Sequence, residues 1–213
     1  MGVFYMLKKI NLPNKLTILR ILLVPVFIIF MSLPAELVWP KFVALGVFLI
    51  AAITDFADGI VARKNGLITK FGKIMDPLAD KLIIASGFIM LVGESVIPAW
   101  IVCIVIVRDF LLNSFRMFGT DNGKDLAASL SGKLKTAFEL IAVTFALIGV
   151  AYSSISIEPL KAFLGFISAN NFDMFATLIN VFMSVAMIGT VATTLWSLVD
   201  YFLKFKEDMN VEE

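Results

Sequence analysis

Histidine is absent from the 213-residue chain, and cysteine occurs once, at Cys103. The lack of histidine removes the commonest general base and the commonest transition-metal ligand. Proton transfer in any catalytic site must therefore fall to Asp, Glu, Lys or Tyr. The single cysteine lies in an apolar run, so we expect neither a disulfide framework nor a thiolate metal site.

Charged residues are also scarce. They make up 16% of the chain, whereas 60% of the residues are hydrophobic and the mean hydropathy is +0.94. Apolar runs of a length that crosses a bilayer recur along the sequence. The composition therefore predicts an all-α, polytopic membrane protein rather than a soluble domain. No cleavable signal peptide is expected, because the first apolar run follows a polar segment and has no A-x-A site after it.

The apolar runs predict six transmembrane helices preceded by a short N-terminal interfacial helix. Residues 1–12 mix apolar and basic side chains, as is typical of a helix on an anionic membrane surface; a disordered start is the alternative. We expect 13–204 to form the transmembrane catalytic domain and 205–213 a charged cytoplasmic tail. The expected spans are about 13–33, 42–63, 73–91, 96–118, 132–152 and 173–203.

The positive charges predict the orientation of these spans. With six spans, both termini lie on one side, and only Lys41 and Lys161 of the 18 Lys and Arg residues fall on the other side. Because basic residues concentrate on the cytoplasmic side, both termini are expected there. We expect the plasma membrane of a bacterium, with membrane lipids around the protein.

Four aspartates lie between two apolar runs, at positions 55, 58, 76 and 80. At about 100° per residue, Asp55 and Asp58 lie roughly 60° apart on a helix, and Asp76 and Asp80 roughly 40° apart. Each helix therefore offers two carboxylates on one face. Carboxylates near membrane depth normally mark a site with a partner, and hard oxygen ligands suit Mg²⁺ or Mn²⁺. A solvated acidic loop is the alternative.

The spacing D-x2-D-G-x2-A-R-x8-G-x3-D-x3-D resembles the signature of the CDP-alcohol phosphotransferase family at all eight fixed positions. The opening P-N-K-L-T-I-L-R and the element G-K-x-K-T after R-D-F are similar to the phosphatidylglycerophosphate synthase branch, although Asp109 stands where Glu is commoner. The resemblance extends over about residues 10–140, and the last two spans contribute apolar character only.

That resemblance implies an enzyme that transfers a phosphatidyl group from CDP-diacylglycerol to sn-glycerol 3-phosphate, giving phosphatidylglycerophosphate and CMP. It implies two divalent ions, Mg²⁺ or Mn²⁺, and a homodimer; no nucleic-acid partner is expected. Asp80 would be both metal ligand and general base. The other implied metal ligands are Asp55, Asp58 and Asp76. The implied nucleotide and pyrophosphate contacts are Gly59, Ala62, Arg63 and Gly72, with Asn14 and Thr17 of the opening.

Arg20 follows Asn14 and Thr17 on the same face of the first span. The alternative for this opening is that Asn14 caps the helix and that Arg20 extends its charge to the membrane interface.

The acceptor site is expected among four cations of the fourth and fifth spans: Arg108, Arg116, Lys133 and Lys135. Together they would select an acceptor that carries a phosphate. The alternative is that they pair with Asp109, with Glu139 (which is i,i+4 from Lys135) and with lipid phosphates.

Other functions stay open at this point. Within the family, a cardiolipin synthase that uses phosphatidylglycerol is the nearest alternative, followed by enzymes with inositol phosphate or serine as acceptor. An ion-coupled transporter would also place acids in the membrane, but paired halves and broken helices are not visible in the sequence. A membrane prenyltransferase would lack the G-x2-A-R element.

Overall fold

The computed structural model describes residues 12–34, 37–65, 70–121, 130–154 and 172–209. These ranges are almost entirely helical and contain no strand, which confirms the all-α prediction for the described part of the chain. The predicted interfacial helix at 1–12 lies outside them, apart from its last residue. Within the helices, the backbone alone is described at 12–13, 56–65, 70–74, 76–77, 113–121, 130–131, 133, 172–176 and 201–209.

The described residues form six long helices, numbered here in chain order. They are α1 (Leu12–Ser32), α2 (Val38–Asn65), α3 (Lys70–Gly93), α4 (Ala99–Asp121), α5 (Leu130–Ser153) and α6 (Phe172–Met209). Each coincides with one predicted span. Helix α6 continues past residue 204, so the first residues of the predicted cytoplasmic tail extend the last helix.

Four of these helices contain a stretch that is long and apolar enough to cross a membrane: 14–32 in α1, 38–55 in α2, 134–153 in α5 and 177–200 in α6. A helix suits the bilayer because it satisfies its own backbone hydrogen bonds. In α3 and α4 the side chains are described in unbroken runs only over 78–93 and 99–112, which are shorter than a membrane crossing, so neither helix is among the four. Within these runs, α3 carries Asp80 and Lys81, and α4 carries Arg108 and Asp109.

Contacts at the two ends of α1, α2 and α3 show that these helices alternate in direction. Near one end, Arg20 of α1 contacts Asp55 in the second half of α2 and Asp80 in the first half of α3. At the other end, Lys41 of α2 donates to the carbonyl oxygen of Met31 at 2.6 Å and contacts Glu94, directly after α3. The two motif aspartates with described side chains, Asp55 and Asp80, therefore lie toward the end where α1 begins.

The buried core contains side chains from all six helices, and α6 packs mainly on α5. Phe27 of α1 and Phe48 of α2 are both fully buried, with ring centroids 5.9 Å apart. Small residues allow the closest approaches. A Cβ on Gly189 of α6 would lie 2.6 Å from the ring of Phe138 of α5, and one on Gly87 of α3 would lie 2.6 Å from Val143. Close helix packing through glycine is common in membrane bundles.

Candidate active site

The first group of charged side chains, the Arg20 cluster, consists of Arg20, Asp55 and Asp80. Nη1 of Arg20 lies 3.0 Å from Oδ1 of Asp55 and also contacts Oδ1 of Asp80. Arg20 is fully buried, so it does not extend to the membrane interface, and that part of the alternative is wrong. The capping role of Asn14 stays a prediction. The structure thus brings together the first and last aspartates of the motif, which come from two helices, around a cation from a third.

Asn14 and Thr17 lie on α1 before Arg20, at intervals of three residues, and both are buried. Residues three or four apart share one face of a helix. The sequence therefore places the amide and hydroxyl groups on the face of α1 that carries Arg20. Their predicted contact with a nucleotide stays a prediction.

The second group, the Arg108 cluster, consists of Arg108, Asp109, Lys135, Glu139 and Ser197. Asp109 Oδ1 accepts hydrogen bonds from Arg108 Nη1 at 2.9 Å and from Lys135 Nζ at 2.5 Å. Lys135 Nζ also lies 2.6 Å from Glu139 Oε1, which confirms the i,i+4 pairing. Arg108 Nη2 donates to the hydroxyl of Ser197 on α6.

The Arg108 cluster contains two of the four predicted acceptor cations in ion pairs. Arg108 and Lys135 are both buried, and each contacts Asp109. Two positive and two negative side chains balance each other, which is what burial in a low-dielectric place requires. In the structure, these two cations are therefore paired with acidic side chains, as the alternative stated. Their binding of a phosphate stays a prediction.

Helix α3 connects the two clusters. Asp80 belongs to the Arg20 cluster, and the next residue, Lys81, places its Nζ 3.5 Å from the backbone carbonyl oxygen of Asp109. Successive residues point about 100° apart on a helix, so α3 faces one cluster with Asp80 and the other with Lys81. Asp80 of the Arg20 cluster and the residue that contacts the Arg108 cluster are therefore neighbours on one helix.

Several predicted site residues have side chains outside the described part of the structure, so their predicted roles are not tested by these contacts. They are Asp58, Gly59, Ala62, Arg63, Gly72, Asp76, Arg116 and Lys133. Their backbone positions lie on α2, α3, α4 and α5, at the ends that carry the two clusters.

The two described aspartates suit a divalent cation. Asp55 and Asp80 contact the same nitrogen of Arg20, so their carboxylates lie close together, and both side chains are partly exposed. Carboxylate oxygens are the ligands that Mg²⁺ and Mn²⁺ prefer. Within the described side chains, no group of three or more acidic, cysteine or histidine residues could hold a metal, so a complete ligand set would need Asp58 and Asp76.

Sequence reasoning missed two contributors, Arg20 as a partner of the aspartates and Ser197 as a partner of Arg108. A signal for Ser197 was present. Hydroxyl side chains recur at 190, 193, 194 and 197 in an otherwise apolar run, and all four are buried. Spacings of three and four place them on one helical face. Such a face indicates an interior polar contact.

Comparison with known proteins supports the sequence resemblance. A protein of Bacillus subtilis (strain 168) named CDP-diacylglycerol–glycerol-3-phosphate 3-phosphatidyltransferase is 40% identical over 147 residues, which cover 63% of this chain and 75% of the relative. Proteins of the same name from Wigglesworthia glossinidia brevipalpis and Escherichia coli (strain K12) are 34% and 33% identical, over 73% and 72% of this chain and 91% and 88% of the relatives.

The family comparison covers most of the chain. The sequence model of the CDP-alcohol phosphatidyltransferase family matches residues 10–196, a range that contains the Arg20 cluster and all of the Arg108 cluster except Ser197. The chain is therefore a member of the CDP-alcohol phosphatidyltransferase family.

Proposed function

We propose that this protein transfers the phosphatidyl group of CDP-diacylglycerol to sn-glycerol 3-phosphate, producing phosphatidylglycerophosphate and CMP. The observation that carries the proposal is that Asp80 and Lys81, which are neighbours on α3, each contact one of the two clusters. One cluster contains carboxylates of the motif, and the other contains buried cations. A transfer between an anionic donor and an anionic acceptor needs both kinds of site side by side. The names of the bacterial relatives describe the same reaction.

The Arg20 cluster forms part of the donor site in this proposal. Asp55 and Asp80, with Asp58 and Asp76, would hold two divalent ions, Mg²⁺ or Mn²⁺. Such ions, when bound, neutralise the charge that develops on the phosphate oxygens. Asn14 and Thr17 would bind the cytidine nucleotide from the face of α1. The nucleotide and pyrophosphate would also contact Gly59, Ala62, Arg63 and Gly72, where small residues let a ligand approach the helices closely.

The reaction is a displacement at phosphorus. The acceptor hydroxyl oxygen attacks the phosphorus that carries the diacylglycerol, a new P–O bond forms, and the bond from that phosphorus to the bridging oxygen of CMP breaks. CMP leaves with the electron pair, and Asp80 takes the hydroxyl proton. Asp80 suits this role because it lies at the junction of the two clusters, where a donor and an acceptor would meet. Holding the two substrates together supplies much of the rate enhancement.

The Arg108 cluster forms the acceptor site in this proposal. Asp109 fixes Arg108 and Lys135 on either side of one carboxylate oxygen, so the two cations are pre-organised for a phosphate. Nε of Arg108 is buried and has no hydrogen-bond partner among the described residues, so it is an unused donor that a phosphate in this cluster would satisfy. Guanidinium and ammonium groups bind phosphate by charge-assisted hydrogen bonds. Arg116 and Lys133 would complete the site.

The proposal includes six spans with both termini and the active site on the cytoplasmic side of a bacterial plasma membrane. Helices α3 and α4 belong to the bundle, since α3 packs on α1 and α5 and α4 packs on α6. Their outer faces expose large apolar side chains, such as Ile89, Val107 and Phe110, as lipid contact requires. The excess of Lys and Arg at the end with the clusters supports the orientation. The homodimer rests on the family resemblance.

The direct test is turnover by purified protein in detergent micelles. With Mg²⁺, CDP-diacylglycerol and radiolabelled glycerol 3-phosphate, we expect release of CMP and transfer of the label to lipid in equal amounts. Glycerol 3-phosphate should be required. CMP release with phosphatidylglycerol as the acceptor instead would indicate a cardiolipin synthase. Failure to release CMP with any of these acceptors, in Mg²⁺ or in Mn²⁺, would contradict the proposal.

A further inference from the structure

Arg20 is a buried cation placed against two carboxylates of the aspartate motif. Its Nη1 contacts Oδ1 of both Asp55 and Asp80, so that one nitrogen joins residues of α2 and α3. Nε and Nη2 of Arg20 have no hydrogen-bond partner among the described residues. A buried charge is costly unless it is paired. Arg20 therefore depends on these carboxylates for compensation.

The two carboxylates are open on the side away from Arg20. The exposed fraction of the side chain is 0% for Arg20, 49% for Asp55 and 36% for Asp80. The guanidinium is therefore enclosed by protein, whereas both carboxylates are partly accessible to a ligand. A metal ion bound to these carboxylates would share them with a fixed positive charge.

That fixed charge opposes the binding of a metal ion. Two carboxylates (−2) and one guanidinium (+1) leave a charge of −1 on the described part of this cluster. Repulsion between cations is strong where bulk water is excluded on one side. The pyrophosphate of a cytidine nucleotide would bring additional negative charge to the same place. Metal and nucleotide should therefore bind better together than separately.

We propose that Arg20 is a positioning residue that makes divalent-metal binding depend on the nucleotide. Arg20 holds Asp55 and Asp80 together and weakens their affinity for a metal ion until a nucleotide with a pyrophosphate group is present. This inference rests on the metal-dependent transfer proposed above. It goes beyond that proposal because it states that a residue of α1 makes metal binding dependent on bound nucleotide.

The experiment is a titration of the purified protein in nanodiscs with Mn²⁺, in which free Mn²⁺ is measured by electron paramagnetic resonance, with and without CDP. CDP carries the pyrophosphate but no lipid to transfer. In the unmodified protein, CDP should lower the Kd for Mn²⁺ by about ten-fold or more, within the usual range of coupling between sites. Arg20→Met should bind Mn²⁺ alone about ten-fold more tightly than the unmodified protein, and CDP should then improve binding much less.

Three variants serve as controls. Lys41→Met removes a buried cation that is paired with Glu94 at the opposite end of the helices. Lys15→Met removes an exposed cation from α1 itself. Both should bind Mn²⁺ like the unmodified protein, with the same effect of CDP. Arg20→Lys keeps the charge and should retain most of the coupling.

Mn²⁺ binding by Arg20→Met that is equal to or weaker than that of the unmodified protein, in the absence of CDP, would overturn the inference. If Arg20→Met does not fold, the inference can still be tested on the unmodified protein alone. Because coupling is reciprocal, Mn²⁺ must lower the Kd for CDP by the same factor by which CDP lowers the Kd for Mn²⁺. If neither ligand changed the Kd of the other, the inference would also be overturned. Turnover that persists in excess EDTA would instead contradict the proposed metal-dependent reaction.

Discussion

Arg108 on α4 donates a hydrogen bond from Nη2 to the hydroxyl oxygen of Ser197 on α6, while its Nη1 donates to Asp109. The guanidinium is therefore fixed from two sides, by a carboxylate on its own helix and by a hydroxyl on the last helix. Ser197 is fully buried, so water cannot replace this contact. The last helix thus contributes a polar group to the Arg108 cluster, in addition to apolar packing.

We expect Ser197→Ala to raise the apparent KM for glycerol 3-phosphate and to leave that for CDP-diacylglycerol nearly unchanged. A hydrogen bond to a charged group contributes about 1.5–3 kcal/mol, so the increase should be about ten-fold or more if Arg108 binds the acceptor phosphate. Ser197→Thr keeps the hydroxyl and should restore most of the affinity. Steady-state kinetics with each substrate varied in turn would measure both constants.

Thr190→Ala is the matched control for Ser197→Ala. The hydroxyl of Thr190 is also buried on α6, but it donates to the carbonyl oxygen of Ala186 in the same helix at 2.9 Å. This control should leave both KM values unchanged. If Ser197→Ala changed the two KM values equally, Ser197 would have a structural role only. If Arg108→Gln left the KM for glycerol 3-phosphate unchanged, Arg108 would not belong to the acceptor site.

Lys135→Ala should raise the KM for glycerol 3-phosphate far more than that for CDP-diacylglycerol. It should also destabilise the protein, because Glu139 and Asp109 lose a buried partner, and breaking such a pair costs about 3–5 kcal/mol. A second variant separates the two effects. Lys135→Met combined with Glu139→Gln removes both charges of the pair and should recover much of the thermal stability, while the KM for glycerol 3-phosphate stays high. Recovery of that KM together with stability would assign Lys135 a structural role only.

The helices could be predicted from the sequence because long apolar runs determine them locally. Helix α3 was expected over about residues 73–91 and spans Lys70–Gly93. The proximity of Asp55 and Asp80 also followed from the motif. The contact of Arg20 with these aspartates could not be predicted, because it depends on how α1 packs against α2 and α3. The helical period of one segment does not determine how helices pack against each other.

The contacts of Lys135 show a different limit of the sequence. Its i,i+4 relation to Glu139 predicted that pair, since both residues are on one helix. Its contact with Asp109, which joins α5 to α4, was only an alternative to phosphate binding, because nothing local in either segment determines which helices meet. The cations were therefore identified from residue types, whereas the structure was needed to show that Arg108 and Lys135 both contact Asp109.

Gly189→Ala should destabilise the contact between α5 and α6. The added Cβ would lie 2.6 Å from one ring atom of Phe138 and 3.0 Å from its Cγ, so the ring would have to move as a whole. Overpacking of this kind typically costs about 1–3 kcal/mol. Thermal unfolding in detergent should show a lower midpoint for this variant. Gly46→Ala is the control, because nothing lies within 4 Å of its new Cβ; equal midpoints for the two variants would contradict the prediction.

Asp80→Asn should separate the general base from the metal ligands. If Asp80 mainly takes the acceptor proton, kcat and kcat/KM should fall together by about 10²- to 10⁴-fold, the usual loss on removing a general base. Because Asp80 is also a proposed metal ligand, binding of Mn²⁺ and CDP should weaken too, but less than in Asp55→Asn. Asp55→Asn, the matched variant at the other described carboxylate of the Arg20 cluster, should lose metal affinity as well as rate, and Asp58→Asn should behave like it.

Calorimetric titration of Asp80→Asn and Asp55→Asn with Mn²⁺ and CDP would compare their affinities for both ligands. The comparison is informative because both aspartates contact Arg20. Both carboxylates contact the same Nη1, so each substitution removes one negative charge from the same cation. The loss of that ion pair is common to the two variants, and a difference between them therefore reports on the metal and the proton. Equal loss of Mn²⁺ and CDP binding in both variants would contradict the assignment. Asp80 would then be a metal ligand only, with the proton passing to water or to a substrate phosphate.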